Sequence, residues 1–300
     1  MSSLSNYRFF LTLLCEFISS PFLYLYNCRK AKGSKRPVKY RERIPVDDDK
    51  IEVFIHEWGG YSLSRVKKVN KLHPFECGII YQLLRFQKEK DSSDLNINVT
   101  ISDIERYDSH ELKMIESMSD NVIPVSNIGM DFSGYAEAQR ILSKSSNRYV
   151  VLTNSSINKI QDRFLSGYID LLASDLTIGA IGISFNTKYN CTLIRNNFNP
   201  HIQSFFILTT TSVLNEIVHF NHGCFPGMGI TGKYMLIRNG EVKFSQLLLK
   251  LNYKLLAVLE DGSVFTFDKH TPLHEFPCDD YRIGCKNPNT ISPIKQNQPI

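Results

Sequence analysis

Three hundred residues, 42% hydrophobic and 22% charged, are ample for one large core or two small ones and exclude a disordered or low-complexity chain. The net charge of +5 is uneven: residues 29–43 carry eight Lys or Arg against Glu42 alone, which leaves −2 over the remainder. Basicity confined to one segment excludes a general nucleic-acid binder, whose cationic face belongs to its folded domain.

Residues 9–26, FFLTLLCEFISSPFLYLY, are mostly apolar and about long enough for a marginal membrane span. Glu16 and Pro21 interrupt them, and Arg8 alone, with no small-residue cleavage site, makes a poor signal peptide. Residues 1–28 therefore read as a membrane-associating segment, peripheral or single-span, and 29–49 as a basic linker. Such a linker attracts anionic lipid by roughly 1 kcal/mol per Lys or Arg and is expected on the cytoplasmic face. A globular domain over 50–266 follows Asp47, Asp48 and Asp49, and the Pro- and Asn-rich residues 267–300 read as an irregular tail.

Within the domain, Ile51–Ile55 reads as a strand ending in His56, Glu57 and Trp58. A helix over 75–86 has Ile79, Leu83 and Phe86 on one side, and a strand at 99–101 ends in Ser102 and Asp103. Residues 121–156 then read as strand, turn at Asn127 and Gly129, helix from Asp131, and a buried strand 149–152 with the polar tip Asn154, Ser155 and Ser156. Tyr135, Ala138, Ile141 and Leu142 are expected to share the buried face of that helix. A helix over 160–172, a strand over 178–185, and a further strand after Gln203 and Ser204 follow. The stretch holding His219 and His222 is turn-rich, Glu241 is expected to open an amphipathic helix, and 255–259 closes as a strand. Strands alternating with helices predict an α/β fold with a mostly parallel sheet flanked by helices, after an N-terminal apolar helix.

No GxGxxG or Walker-type phosphate loop and no Gly-x-Ser-x-Gly elbow is present. The seven cysteines form no CxxC pair, and their odd number favours a reducing compartment over a disulfide framework. Glu216, His219 and His222 match no zinc spacing. Three acids fall at strand ends or helix starts: Asp103, Asp131 and Glu241. Ligands gather at the carboxyl ends of strands in open α/β sheets, so these acids and the polar tip mark where chemistry is expected. Asn98, Asn154 and Asn190 begin glycosylation sequons, although Asn154 at a sheet edge is a poor glycan carrier.

Asn127-Ile-Gly-Met-Asp131-Phe132, the strand Tyr149-Val-Val-Leu-Thr-Asn154-Ser155-Ser156, the run Gln203-Ser204-Phe205-Phe206 and Glu241-x-x-x-Ser245 with Leu248 and Tyr253 together resemble a GT-A type glycosyltransferase. The likeness is nearest to the rhamnan-synthesis (rhamnosyltransferase F-like) group, more distant to family-2 glycosyltransferases, and covers residues 50–265. It implies a nucleotide-sugar donor at the carboxyl edge of the sheet, contacted by His56, Asp103, Asn127, Gly129, Asp131, Asn154, Ser155 and Ser156. Trp58, Gln203, Ser204 and Ser245 are expected as acceptor-side or lining residues, and the likeness implies Glu241 as general base in an inverting transfer. The acceptor would be a saccharide or lipid-linked saccharide in surface polysaccharide synthesis. Such enzymes usually bridge the donor diphosphate with Mg²⁺ or Mn²⁺, which Asp131 would help hold here. Asn and Ser stand where that family usually has acids, so metal-independent transfer, or a non-catalytic sugar-binding or scaffolding role, is the alternative.

Overall fold

The computed structural model describes residues 2–34, 37–189 and 191–295, with side chains from Tyr7 onward. Lys35 and Arg36 of the basic run, Asn190 of the third sequon and tail residues 296–300 lie outside the described residues.

The chain is α/β. Helix α1 (Ser2–Ala31) precedes β1 (Ile51–Trp58), a short ribbon of β2 (Arg65–Lys67) and β3 (Phe75–Cys77), α2 (Ile79–Lys90) and β4 (Leu95–Ser102). Next come α3 (Ser109–Ser117), β5 (Asn121–Val125), α4 (Asp131–Leu142), β6 (Tyr149–Asn154), α5 (Leu165–Ser174) and β7 (Ile178–Gly182). A second ribbon, β8 (Phe185–Lys188) with β9 (Phe198–Ile202), leads to β10 (Phe206–Thr210) and α6 (Thr211–Phe220). The last helix runs as α7 (Lys233–Leu236), a π-helical stretch Ile237–Val242 and α8 (Lys243–Lys250), and β11 (Lys254–Val258) and β12 (Val264–Phe267) end the sheet.

Eight strands form the main sheet in the order β12-β11-β7-β10-β6-β1-β4-β5, parallel except for β10 and β12. Its central strands are apolar on both faces because helices cover both. Ile51, Val53 and Ile55 of β1 pack with Leu83 and Phe86 of α2 and Leu165 of α5. Phe54 points the other way, into a core shared with Tyr135 of α4, Val213 of α6 and Leu248 of α8. After β1 the chain builds β4 and β5 on one side, then crosses to β6 on the other. The crevice at the carboxyl ends of β1 and β6 is therefore a topological switch point.

Local readings change in five places. Phe75–Cys77 pairs with Arg65–Lys67 rather than starting α2, since a ladder satisfies its backbone first. Ile141 is 42% exposed, because at 100° per residue it falls well off the face that carries Tyr135 and Leu142. The stretch 178–185 splits between the main sheet and the β8–β9 ribbon. His219 ends α6, and Glu216 beneath it pairs with Arg41 and accepts from Tyr253 Oη, away from any metal role. Glu241 lies inside a continuous helix and does not open one. Asn98 and Asn154 are buried, which disqualifies both as glycan carriers, and all seven cysteines are free thiols.

Helix α1 is long and apolar enough to cross a membrane, with mean hydropathy 1.5 over an 18-residue window within Tyr7–Ala31. Pro21 cannot donate to the Phe17 carbonyl, which instead accepts from Ser20 Oγ at 3.0 Å. One face is docked: buried Glu16 pairs with Arg238 and accepts from Thr192 Oγ1 and Leu193 N at 3.0 Å each, while Lys30 Nζ donates to Gln246 at 2.7 Å. The opposite face leaves Phe10, Leu14, Phe17, Ile18, Phe22 and Leu25 exposed. Part of the basic segment also packs down, with Arg43 buried and its N–H donating to Leu176 O at 2.8 Å.

Candidate functional site

At the β1–β6 switch point lies a cleft of about 600 Å³. Its floor is the strand ends: His56, Glu57 and Trp58 from β1, and Asn154, Ser155 and Ser156 from β6. Because β10 is antiparallel, its N-terminal approach reaches the same edge and delivers Gln203, Ser204 and Phe205. The turn before α4 adds Asn127 and Asp131, and the π-helical stretch adds Ile237 and Glu241.

The Asn127–Asp131 turn works because Gly129 takes φ +109°, where a Cβ would stand 2.8 Å from Ser133 Oγ. Asp131 Oδ2 accepts from Asn154 Nδ2 at 2.6 Å, and Asn154 Oδ1 accepts from Ser156 N at 2.9 Å. The polar tip and the acid turn, 23 residues apart in sequence, are thus one hydrogen-bonded unit. His56 is buried on Thr100 Oγ1, and burial lowers its pKa, which keeps the imidazole neutral. Asp103 stands behind the wall rather than in the cleft. Its Oδ2 accepts from Trp58 Nε1 at 2.7 Å and Asn127 Nδ2 at 2.9 Å, which fixes the indole. Ser245 is fully buried and accepts from Ile202 N at 3.1 Å, so it supports β9 and lines nothing.

Glu241 Oε2 accepts from both Ser204 N and Ser204 Oγ at 2.8 Å, and Oε1 faces His201 Nε2 at 3.6 Å. Burial raises its pKa, but His201 and the two Ser204 donors outweigh that and hold the carboxyl at about 2. The group is ionised at every ordinary pH and is a weak base. The π-helical turn aims it: Gly240 packs on the Phe132 ring, where a Cβ would stand 2.9 Å from ring carbon, and such turns recur at functional sites.

Glu57 behaves oppositely. Burial pushes its carboxyl up to about 7, against the pull of Arg65, Ser155 and Trp58 N. A carboxyl with a folded pKa above its unfolded value gives full stability below about pH 4.5, its ordinary pKa, and that contribution is lost as pH rises to about 7. Glu57→Gln is expected to remove on the order of 2–3 kcal/mol of the stability change between pH 4.5 and 8. Urea unfolding at the two pH values checks this, and an unchanged difference would count against a buried, weakly paired Glu57.

Among the cleft residues that carry no signal in the sequence reading are Arg65, Lys67, His201 and Arg282. Arg65 and Lys67 sit in a three-residue strand too short for periodicity, and Arg282 sits in the irregular tail. The tail is built in: Asn186 bridges Asp280, Thr187 N donates to Asp279 O, and Asn289 Nδ2 donates to Ser156 O at 2.9 Å. Arg85 of α2, 1% exposed, holds the chain beyond the tip through Asn158 O at 2.5 Å and Ile160 O at 2.6 Å. Arg85→Met is expected to cost about 2–3 kcal/mol by orphaning those carbonyls, with faster amide exchange confined first to 155–164. Uniform exchange changes would refute a local clamp.

A divalent ion wants several hard oxygen ligands. Among the described residues no three His, Cys, Asp or Glu side chains converge as a metal site. Of the cleft's carboxylates, Glu57 faces Arg65, Glu241 is held by Ser204, and Asp131 holds Asn154. These residues do not fit Mg²⁺ or Mn²⁺. No protein-family model matches the chain, and no curated protein matches it either.

Proposed function

We propose that this protein is a glycosyltransferase that moves a sugar from a nucleotide-sugar donor to a saccharide or lipid-linked acceptor, with inversion, in the manner of GT-A enzymes. The observation that carries the reading is the convergence, at the sheet's switch point, of the Asn127–Asp131 turn, the Asn154–Ser156 tip, Ser204 and Glu241 around one cleft. That combination was read from sequence through a family likeness, and the cleft's volume suits a ligand of small-molecule to nucleotide-sugar size.

In this reading Trp58, fixed by Asp103, forms an aromatic wall for the donor. Asp131 and Asn154 hold sugar hydroxyls as a coupled acceptor–donor pair. Glu241, always ionised, orients the acceptor hydroxyl and receives its proton late in the transfer. Helix α1, with its docked polar face and open apolar face, lies along the cytoplasmic surface of a membrane beside the basic segment. That geometry favours a peripheral over a spanning mode, because a crossing helix would have to strip Glu16 from Arg238.

The second reading, a non-catalytic sugar-binding or scaffolding protein, draws on the Glu241 carboxylate, whose Oε2 already accepts twice from Ser204 and whose Oε1 faces His201. Incubation with a panel of nucleotide-sugars, with Mn²⁺ or with EDTA, separates the two. Release of nucleoside diphosphate from one donor supports the enzyme. Saturable sugar binding without release from any donor supports the second reading.

A further inference from the structure

We propose that Arg65, Lys67 and Arg282 form an anion cradle that receives a diphosphate group directly, without a bridging metal ion. Strand β2 places Arg65 and Lys67 on one face by its two-residue period, with Val66 between them turned out to solvent and 57% exposed. Both cations line the cleft, and the C-terminal segment adds Arg282 to it.

Each guanidinium is braced for this task. Arg65 Nη2 donates to Ser155 Oγ at 2.8 Å, and the guanidinium lies over the Tyr61 ring at 3.8 Å. Its Nη1 is buried and makes no hydrogen bond, facing Glu57 only at 3.5 Å. Arg282 is fixed by Asp280 at 2.8 Å and sits over the Phe205 ring. Lys67 is half-buried, and, unlike Arg65 and Arg282, among the described residues it has no carboxylate within ion-pair distance of its ammonium. Burial, Arg65 and Arg282 all lower its pKa, and Asp131 and Cys77 oppose them. Arg65 and Arg282, the latter already paired with Asp280, both repel the half-buried Lys67 unless an anion fills the space between them.

The neighbouring acids do not fill it. Asp131 is engaged with Asn154, Glu241 with Ser204, and Glu57 is held near neutrality by burial. Two planar guanidinium groups and an ammonium in one cleft match the several oxygens of a diphosphate better than a single carboxylate. The cradle rests on the proposed function only for the identity of its natural ligand.

The test is titration calorimetry of the full-length protein with inorganic pyrophosphate and with nucleoside diphosphates, in EDTA and in Mn²⁺. Binding in EDTA is expected, weakened at least tenfold in Lys67→Met and largely retained in Lys67→Arg. An Arg282→Met protein with unchanged unfolding midpoint is expected to lose a similar factor. Binding that appears only with Mn²⁺, or equal affinity in Lys67→Met, overturns the cradle. Transfer that requires Mn²⁺ would leave the glycosyltransferase reading standing and the cradle fallen. Pyrophosphate binding in EDTA, with no donor turned over, would leave the cradle standing and that reading fallen.

Discussion

Glu241→Gln is expected to lower turnover of the preferred nucleotide-sugar by about 10²–10⁴, with the donor KM nearly unchanged. Gln keeps the volume and can still accept from Ser204 N and Ser204 Oγ, which both reach the carboxylate at 2.8 Å. What it loses is the charge that faces the acceptor. A carboxyl held at about 2 does not titrate between pH 4 and 8, so Glu241 should impose no acid limb on the rate over that range. A base this weak suits a reaction in which positive charge builds at the anomeric carbon before the nucleophile gives up its proton. A limb centred near pH 7 that vanishes in Glu57→Gln would move the base role to Glu57, whose carboxyl is pushed up to about 7. Unchanged turnover in Glu241→Gln would remove Glu241 from the mechanism.

Glu16→Ala is the substitution expected to disturb the architecture most. It deletes the carboxylate opposite Arg238, whose side chain is only 9% exposed, and frees Thr192 Oγ1 and Leu193 N from their acceptor. Removing one partner of a buried ion pair costs about 3–5 kcal/mol, because the other charge stays desolvated. Since α1 meets the body on one face only, the loss is expected as undocking of α1 rather than global unfolding. Faster amide exchange over α1, with the sheet still protected, is the expected result. Pairing Glu16→Leu with Arg238→Met should recover most of the loss, because an apolar pair carries no stranded charge. If Glu16→Ala left α1 exchange unchanged, the ion pair would not be what docks the helix.

The sheet was legible because its strands are buried on both faces and read as apolar runs, Ile51–Ile55 and Tyr149–Leu152 among them. The turn and tip were legible because glycine, Asp131 and Asn154 interrupt those runs abruptly. Half of the cleft was not. Arg65 and Lys67 occupy a strand of three residues, shorter than any periodicity can register. Arg282 and Asn289 follow prolines and asparagines that signal irregular chain, yet irregular chain can be pinned by hydrogen bonds as firmly as a strand. Glu241 was placed in the right cleft for the wrong local reason. Glu241 does not open a helix, because Gly240 lets the helix press against Phe132 and run on through a π turn.

Helix Lys233–Val242 stands between α1 and the cleft. Tyr234 stacks on Phe9 and Arg238 holds Glu16, while Lys233, Leu236, Ile237 and Glu241 look into the cleft. Two helices side by side, each about 10 Å across, separate the open apolar stripe from the Glu241 carboxylate. With α1 lying in a membrane interface, Glu241 would work roughly 20 Å above the lipid. The helix pair would then act as a ruler: an acceptor anchored in the bilayer meets Glu241 only when its growing end stands at about that height.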